Sequence, residues 1–181
     1  MSMETPSSDL WPFDPDRAEP PLAAGCVAWS DVVAAEPELA HAVRARFDAT
    51  KHHVLATLRS DGAPRVSGTE VIFHEGVLAL GSMHRAVKAT DLLRDGRFAL
   101  HSNPGDGSME GGDAKVVGTA VAIGGALAVA IEAGLPQGIP EPFHLFRLDI
   151  AQVVLSEVDH ERNCMVIRSW WPDRGLVTVE R

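Results

Sequence analysis

The chain has 181 residues, a length that suits one domain and leaves room for a core of useful size. Apolar residues make up 45% of it and the formal net charge is −9. That acidity excludes the counterion-displacing binding of nonspecific nucleic-acid proteins, and it excludes an anionic membrane surface as a partner. The two cysteines, Cys26 and Cys164, form no metal-type pair and no disulfide framework, so they read as free thiols in a reducing cytoplasm. Residues 1–8 lack the basic start and apolar run of a secretory leader. The expectation is a soluble, cytoplasmic protein.

In chain order, residues 1–30 read as an extended arm, rich in Pro, Asp and Ser from Pro6 to Pro21, of the kind that wraps a partner subunit or stays disordered. From Pro37 the pattern turns helical. Leu39, Val43 and Phe47 recur every fourth residue with charges between them, and the helix is expected to end near His52. Strands follow over 54–58 and 64–73, joined by the turn Ser60-Asp61-Gly62, and then over 77–81. A short helix is expected from about His84 to Arg94 with Ser82 as its cap, closed by Gly96, and next a strand over 97–101. Residues 103–113 hold four glycines and read as a loop. The apolar run from Val116 to Ile131 is interrupted by glycines and too short for a membrane span. It reads as the end of a strand over 115–123 and a small helix over 126–133. A loop over 135–142, a long strand over 144–155, a hairpin turn near 159–163 and strands over 165–170 and 176–179 complete the chain. The fold class expected is a β-rich α+β domain, with six to seven antiparallel strands closing into a barrel and a few short helices.

The chemistry is concentrated between Pro64 and Leu93. Arg65, Ser67 and Thr69 alternate with Val66 and Gly68, which puts a positive charge and two hydroxyls on one face of the strand. In the next helix His84, Arg85 and Lys88 precede any acid, which first appears at Asp91. Basic residues at a helix start oppose the dipole, an arrangement that makes sense where backbone N–H groups and bases together hold a phosphate.

These segments resemble a known family. The hairpin Leu55-Ala56-Thr57-Leu58 … Asp61-Gly62-Ala63-Pro64-Arg65-Val66-Ser67, the segment from Leu80 to His101, and Lys115 to Gly118 are similar to the split barrel of the pyridoxamine 5′-phosphate oxidase-like superfamily. The resemblance spans about residues 40–155. It implies a Greek-key split barrel over 31–181 that binds FMN, or the deazaflavin coenzyme F420 in a related branch, at a homodimer interface. It places the phosphate-binding strand on Arg65, Val66 and Ser67 and the helix lysine on Lys88, with Arg85 substituting for a serine that is Ala86 here. It sets Ser82, Met83 and Thr69 at the ring edge. Trp170, beside Trp171 near the chain end, is a candidate cover for the ring or a core or dimer contact. The motif for the substrate phosphate of true pyridoxamine-phosphate oxidases is absent, so vitamin B6 oxidation is not implied.

The activity implied is hydride transfer to or from a small molecule. The cofactor ring carries the chemistry, so no side-chain nucleophile or acid–base pair is expected. The rival expectation is a binding or sequestering protein for a flavin, haem or related ligand on the same barrel. His52 and His53 are adjacent, no HExxH or paired-cysteine motif occurs, and no metal site is expected. Walker A, G-x-S-x-G and G-x-G-x-x-G patterns are likewise missing.

Overall fold

A computed structural model describes residues 16–104, 109, 111–135, 137–139 and 142–181. In chain order its elements are α1 (Trp29–Ala35), α2 (Pro37–Asp48), β1 (His53–Leu58), β2 (Pro64–Thr69), β3 (Ile72–His74), β4 (Val77–Met83), α3 (Val87–Arg94), β5 (Arg97–His101), β6 (Asp113–Ile123), α4 (Gly125–Ala133), β7 (Phe143–Asp159), β8 (Cys164–Trp171) and β9 (Gly175–Glu180). The β-rich α+β split barrel expected from the sequence is the fold observed, with nine strands among the described residues in place of six to seven.

Local chemistry accounts for most elements. Pro37 sits in the first turn of α2, where its missing N–H costs nothing, and Leu39, Ala40, Val43 and Phe47 form the buried stripe. The hairpin between β1 and β2 is set by Gly62 at φ 84°, and the Asp61 carboxylate accepts the Ala63 N–H at 3.0 Å. α1 was not anticipated as a helix. Asp31 in its first turn accepts the Ala28 N–H at 2.9 Å, which fastens the start of the helix.

All strand pairs are antiparallel, in the order β2-β1-β5-β6-β7-β4-β3, with β8 on β7 and β9 on β8. The single strand expected over 64–73 is therefore two. β2 pairs with β1 and β3 pairs with β4, at opposite ends of that order, yet only Glu70 and Val71 separate them in the chain. So short a link forces the sheet to curl until its ends meet. The 17-residue β7 makes the split, pairing with β4 along its first half and with β8 along its second.

The core follows the two faces of these strands. Leu78 and Leu80 of β4 and Phe146, Leu148 and Ile150 of β7 point inward to meet Leu55, Leu100, Val116 and the buried stripe of α2. On the outer face Ala79, Phe143 and Leu145 pack with Ile123 and with Ala128 and Ile131 of α4. Each fully buried Leu, Ile or Phe contributes roughly 1.5–3 kcal/mol. Gly118 lies where β6 shifts register against β7, and a Cβ there would collide with the Asp149 carbonyl oxygen.

The arm is held down over its described part. Arg147, 5% exposed, donates to Asp149 at 2.6 and 3.2 Å, to the Glu19 carboxylate at 2.8 Å, and to the Pro20 and Pro21 carbonyls at 3.0 and 2.9 Å. Asp149 in turn accepts the Ala23 N–H at 2.7 Å, and Val27 bridges to Ile150. Residues 1–15, half of the segment read as an arm, and much of the glycine-rich loop lie outside the described residues. Among the described residues no helix is long and apolar enough to cross a membrane, and no group of His, Cys, Asp and Glu could hold a metal ion.

Candidate functional site

The site is built where β4 runs out and α3 begins. The sequence suggested a helix from about His84 capped by Ser82, but the strand wins there. The β4–β7 ladder continues to Met83 opposite Phe143, and the His84 N–H still donates to the Pro142 carbonyl at 3.0 Å. Ser82 is thus a strand residue, 4% exposed. Arg85 takes φ 64°, which ends the strand, and the helix starts only at Val87 with Ala86 as its cap. Arg85 is exposed in this turn and does not share a helix face with Lys88.

α3 then presents a bare N-terminus. No side chain caps it and no acid lies in its first turn. Lys88, in that turn, reaches across to β2 and donates to the Gly68 carbonyl at 2.7 Å, using one of its three N–H bonds. Burial pulls the Lys88 ammonium below its ordinary pKa, opposed by the charge of Glu70.

Asp91, one turn further on, organises the other side. It is 3% exposed and accepts from Thr57 Oγ1 at 3.0 Å, Arg65 Nε at 2.6 Å and the Arg94 guanidinium at 3.4 Å. Burial raises the Asp91 pKa, but the hydrogen bonds from Arg65 and Thr57 with the Arg65 charge outweigh it and hold the carboxyl below the ordinary range. Arg65 was expected to face a phosphate outright. Its Nε is instead committed to Asp91, and only its two terminal nitrogens make no hydrogen bond among the described residues.

Above this corner lies a cavity of about 590 Å³. One wall is the β2–β3 link, from Gly68 to Ile72, and another is Gly81, Ser82 and Met83 with Ala86 and Lys88. Lys51, His52 and the segment holding Leu135, Gln137, Gly138 and Ile139 complete it. Ile139 lies on Gly81, where an added Cβ would come within 3.2 Å of it. Lys51 faces Glu70 at 3.4 Å at one side.

Of the residues singled out from the sequence, Thr69, Ser82, Met83 and Lys88 come together in this cavity. Arg65, Ser67 and Thr69 do share the sheltered face of β2, as their alternation suggested, while Val66 is 71% exposed on the other. The hydroxyls of Ser67 and Ser82 are buried without a hydrogen-bond partner. Trp170 stands apart from the cavity, 5% exposed in the main core and paired in register with Val153 and Leu176. Trp171 carries the Arg174 guanidinium 4.6 Å above its ring. Asp91, Glu70 and the wall of Leu135, Gln137, Gly138 and Ile139 were missed by the sequence reading. For Asp91 a signal existed, as a lone acid one turn into a basic helix segment. Nothing local marks the wall, which reaches the site only through the path of α4.

No protein-family model matches the chain, and no curated protein matches it. Solved structures do. A pyridoxamine 5′-phosphate oxidase-related, FMN-binding protein from Nostoc punctiforme PCC 73102 is similar at 16% identity and TM-score 0.58, over 81% of this chain and 95% of that one. PhzG from Burkholderia lata 383, solved with tetrahydrophenazine-1-carboxylic acid, is similar at 15% identity and TM-score 0.57, over 84% and 92%. A haem-binding protein from Mycobacterium smegmatis is similar at 17% identity and TM-score 0.55, over 80% and 88%. Identity this low speaks to architecture alone, and the architecture is consistent: the chain has the split β-barrel fold of these structures.

Proposed function

We propose that the cavity beside α3 binds a flavin-type cofactor by its phosphate, FMN in the first place, and that the chain is a flavin-dependent oxidoreductase acting on a small molecule. One observation carries this reading. Ser82, whose buried hydroxyl has no partner, lines the same cavity as Lys88 at the uncapped, acid-free start of α3. Bare backbone N–H groups, an ammonium with donors to spare and an unpaired hydroxyl form a complementary set for a dianionic group. A cavity of about 590 Å³ falls in the range of cofactor and small-molecule sites.

Lys88, Ser82 and the first amides of α3 would hold the phosphate, with the terminal nitrogens of Arg65 and the Ser67 hydroxyl beside them on β2. Thr69 and Met83 would flank the ring system. When bound, the ring supplies the hydride chemistry. The chain's part is to bind, orient and shelter it. Met83 at the cavity and Val87 at the start of α3 are 67% and 55% exposed, and Val66 is 71% exposed on the other face of β2; these apolar side chains would be buried by a second copy in a homodimer.

The test is to purify the protein, record its visible spectrum and weigh the ligand released on denaturation. A flavin spectrum, with FMN bound more tightly than riboflavin, is the expected result. Equal affinity for the two would remove the phosphate grip. The haem reading draws on the Mycobacterium smegmatis likeness and on His52 in the cavity lining. A Soret band that moves on His52→Ala would establish it instead. A deazaflavin would show in the mass, and the acidic net charge argues for the shorter-tailed FMN.

A further inference from the structure

The end of β4 is closed by two imidazoles that the binding site does not use. His144 lies opposite Ser82 in the β4–β7 register, 5% exposed on the inward side of β7 with Phe146. His84 follows the strand, and its ring centroid is 5.6 Å from that of His144 at a tilt of 34°. Its Nδ1 is buried with no hydrogen-bond partner. Among the described residues neither ring makes a hydrogen bond or an ion pair.

No compensating charge faces this pair among the described residues. β4 has no ionisable side chain. On α3, Asp91 is taken up by Thr57, Arg65 and Arg94, and Lys88 is turned to Gly68. On β7 itself, Arg147 and Asp149 lie on the opposite face, bonded to each other, and α4 covers that same outer face. Arg85, next to His84 in the chain, is exposed. Burial, and then the charge of His84, keep His144 below the ordinary histidine pKa. A proton on each ring would set two unpaired cations side by side in a poorly hydrated corner.

The pair is also mechanically placed. His84 sits in the turn that carries Met83 at one end and Lys88 shortly after the other, with Arg85 held in the left-handed region at φ 64°.

We propose that His84 and His144 form a pH-sensitive latch on the cavity: neutral, they pack together and hold Ser82, Met83 and Lys88 in place; protonated, they part and loosen the grip on a phosphate-bearing ligand. The ligand half of this rests on the flavin reading, and the latch itself does not.

The experiment compares wild type with His144→Phe, melting the ligand-free proteins and titrating each with FMN between about pH 8 and about pH 5. Wild type should lose more melting temperature on acidification than the variant. Its Kd for FMN should also rise roughly tenfold more, the weight of one pKa unit. FMN titrates too, as does His53, which is buried with an unpartnered Nδ1, but both act on the two proteins alike and cancel. Equal slopes in the two proteins would overturn the latch. Should His144→Phe not fold, His84→Gln makes the same comparison. If FMN binds neither protein at any pH the flavin reading fails, while the melting slopes still decide the latch.

Discussion

Two clusters of basic and polar side chains in this molecule look alike in composition and differ in what is left unpaired. On the outer face of β7, the Arg147 guanidinium makes hydrogen bonds to Asp149, Glu19 and two carbonyls of the arm, and Asp149 is fully buried. Beside α3, Lys88 spends one donor on a carbonyl, Arg65 spends its Nε on Asp91, and two serine hydroxyls nearby have no partner. The first cluster closes on itself and fastens the chain. The second has donors remaining, and Lys88 and Ser82 among them line the cavity. Unspent hydrogen-bonding capacity, rather than the number of bases, separates a binding site from a structural clamp.

The sharpest way to break this comparison is to truncate the clamp. Arg147→Ala leaves Asp149 buried without its counter-charge and should cost about 3–5 kcal/mol in urea unfolding. A loss below about 1 kcal/mol would show that the clamp is not structural. Asp91→Asn comes next, at about 2–3 kcal/mol, because it weakens charge-assisted bonds to Arg65 and Arg94. The Asp91 carboxyl is held below its ordinary pKa, so the stability it contributes is complete above the unfolded value near about pH 4 and is lost as pH falls through the folded value. The variant should therefore lose the acid limb of the stability curve as well as height.

Lys88→Ala sharpens the other side of the comparison. It should weaken FMN binding by about 1–3 kcal/mol in a fluorescence titration while shifting unfolding by less than about 1 kcal/mol. The reverse pattern would move Lys88 into the structural class. Ser82→Ala should have the smallest effect, about 0.5–1.5 kcal/mol of affinity, with stability unchanged or slightly raised, since it removes a buried hydroxyl that has no partner. A clear loss of stability in the ligand-free protein would mean that the hydroxyl is already satisfied.

Much of the fold was legible in local pattern. The stripe of α2, the apolar run of β1, the Ser60-Asp61-Gly62 turn, the alternation along β2 and the small helix after β6 all stand close to where periodicity and turn chemistry put them. The errors share one cause. Residues 64–73 have strand character throughout, and nothing local says that pairing passes from β1 to β4 at Glu70 and Val71. Ser82 has the chemistry of a helix cap, yet it is held in β4 by a ladder to residues some sixty positions away.

The amino-acid sequence by itself determined the element types, the sheltered polar face of β2 and the absence of acid from the start of α3. Each of these follows from side-chain period and residue chemistry within a few neighbours. Tertiary structure alone decided which bases stay available, because that depends on partners distant in the chain. Asp91 claims Arg65 across 26 residues, and Asp149 with Glu19 claims Arg147. Electrostatic pairing is settled by distance in space and by burial, and neither can be read along a line.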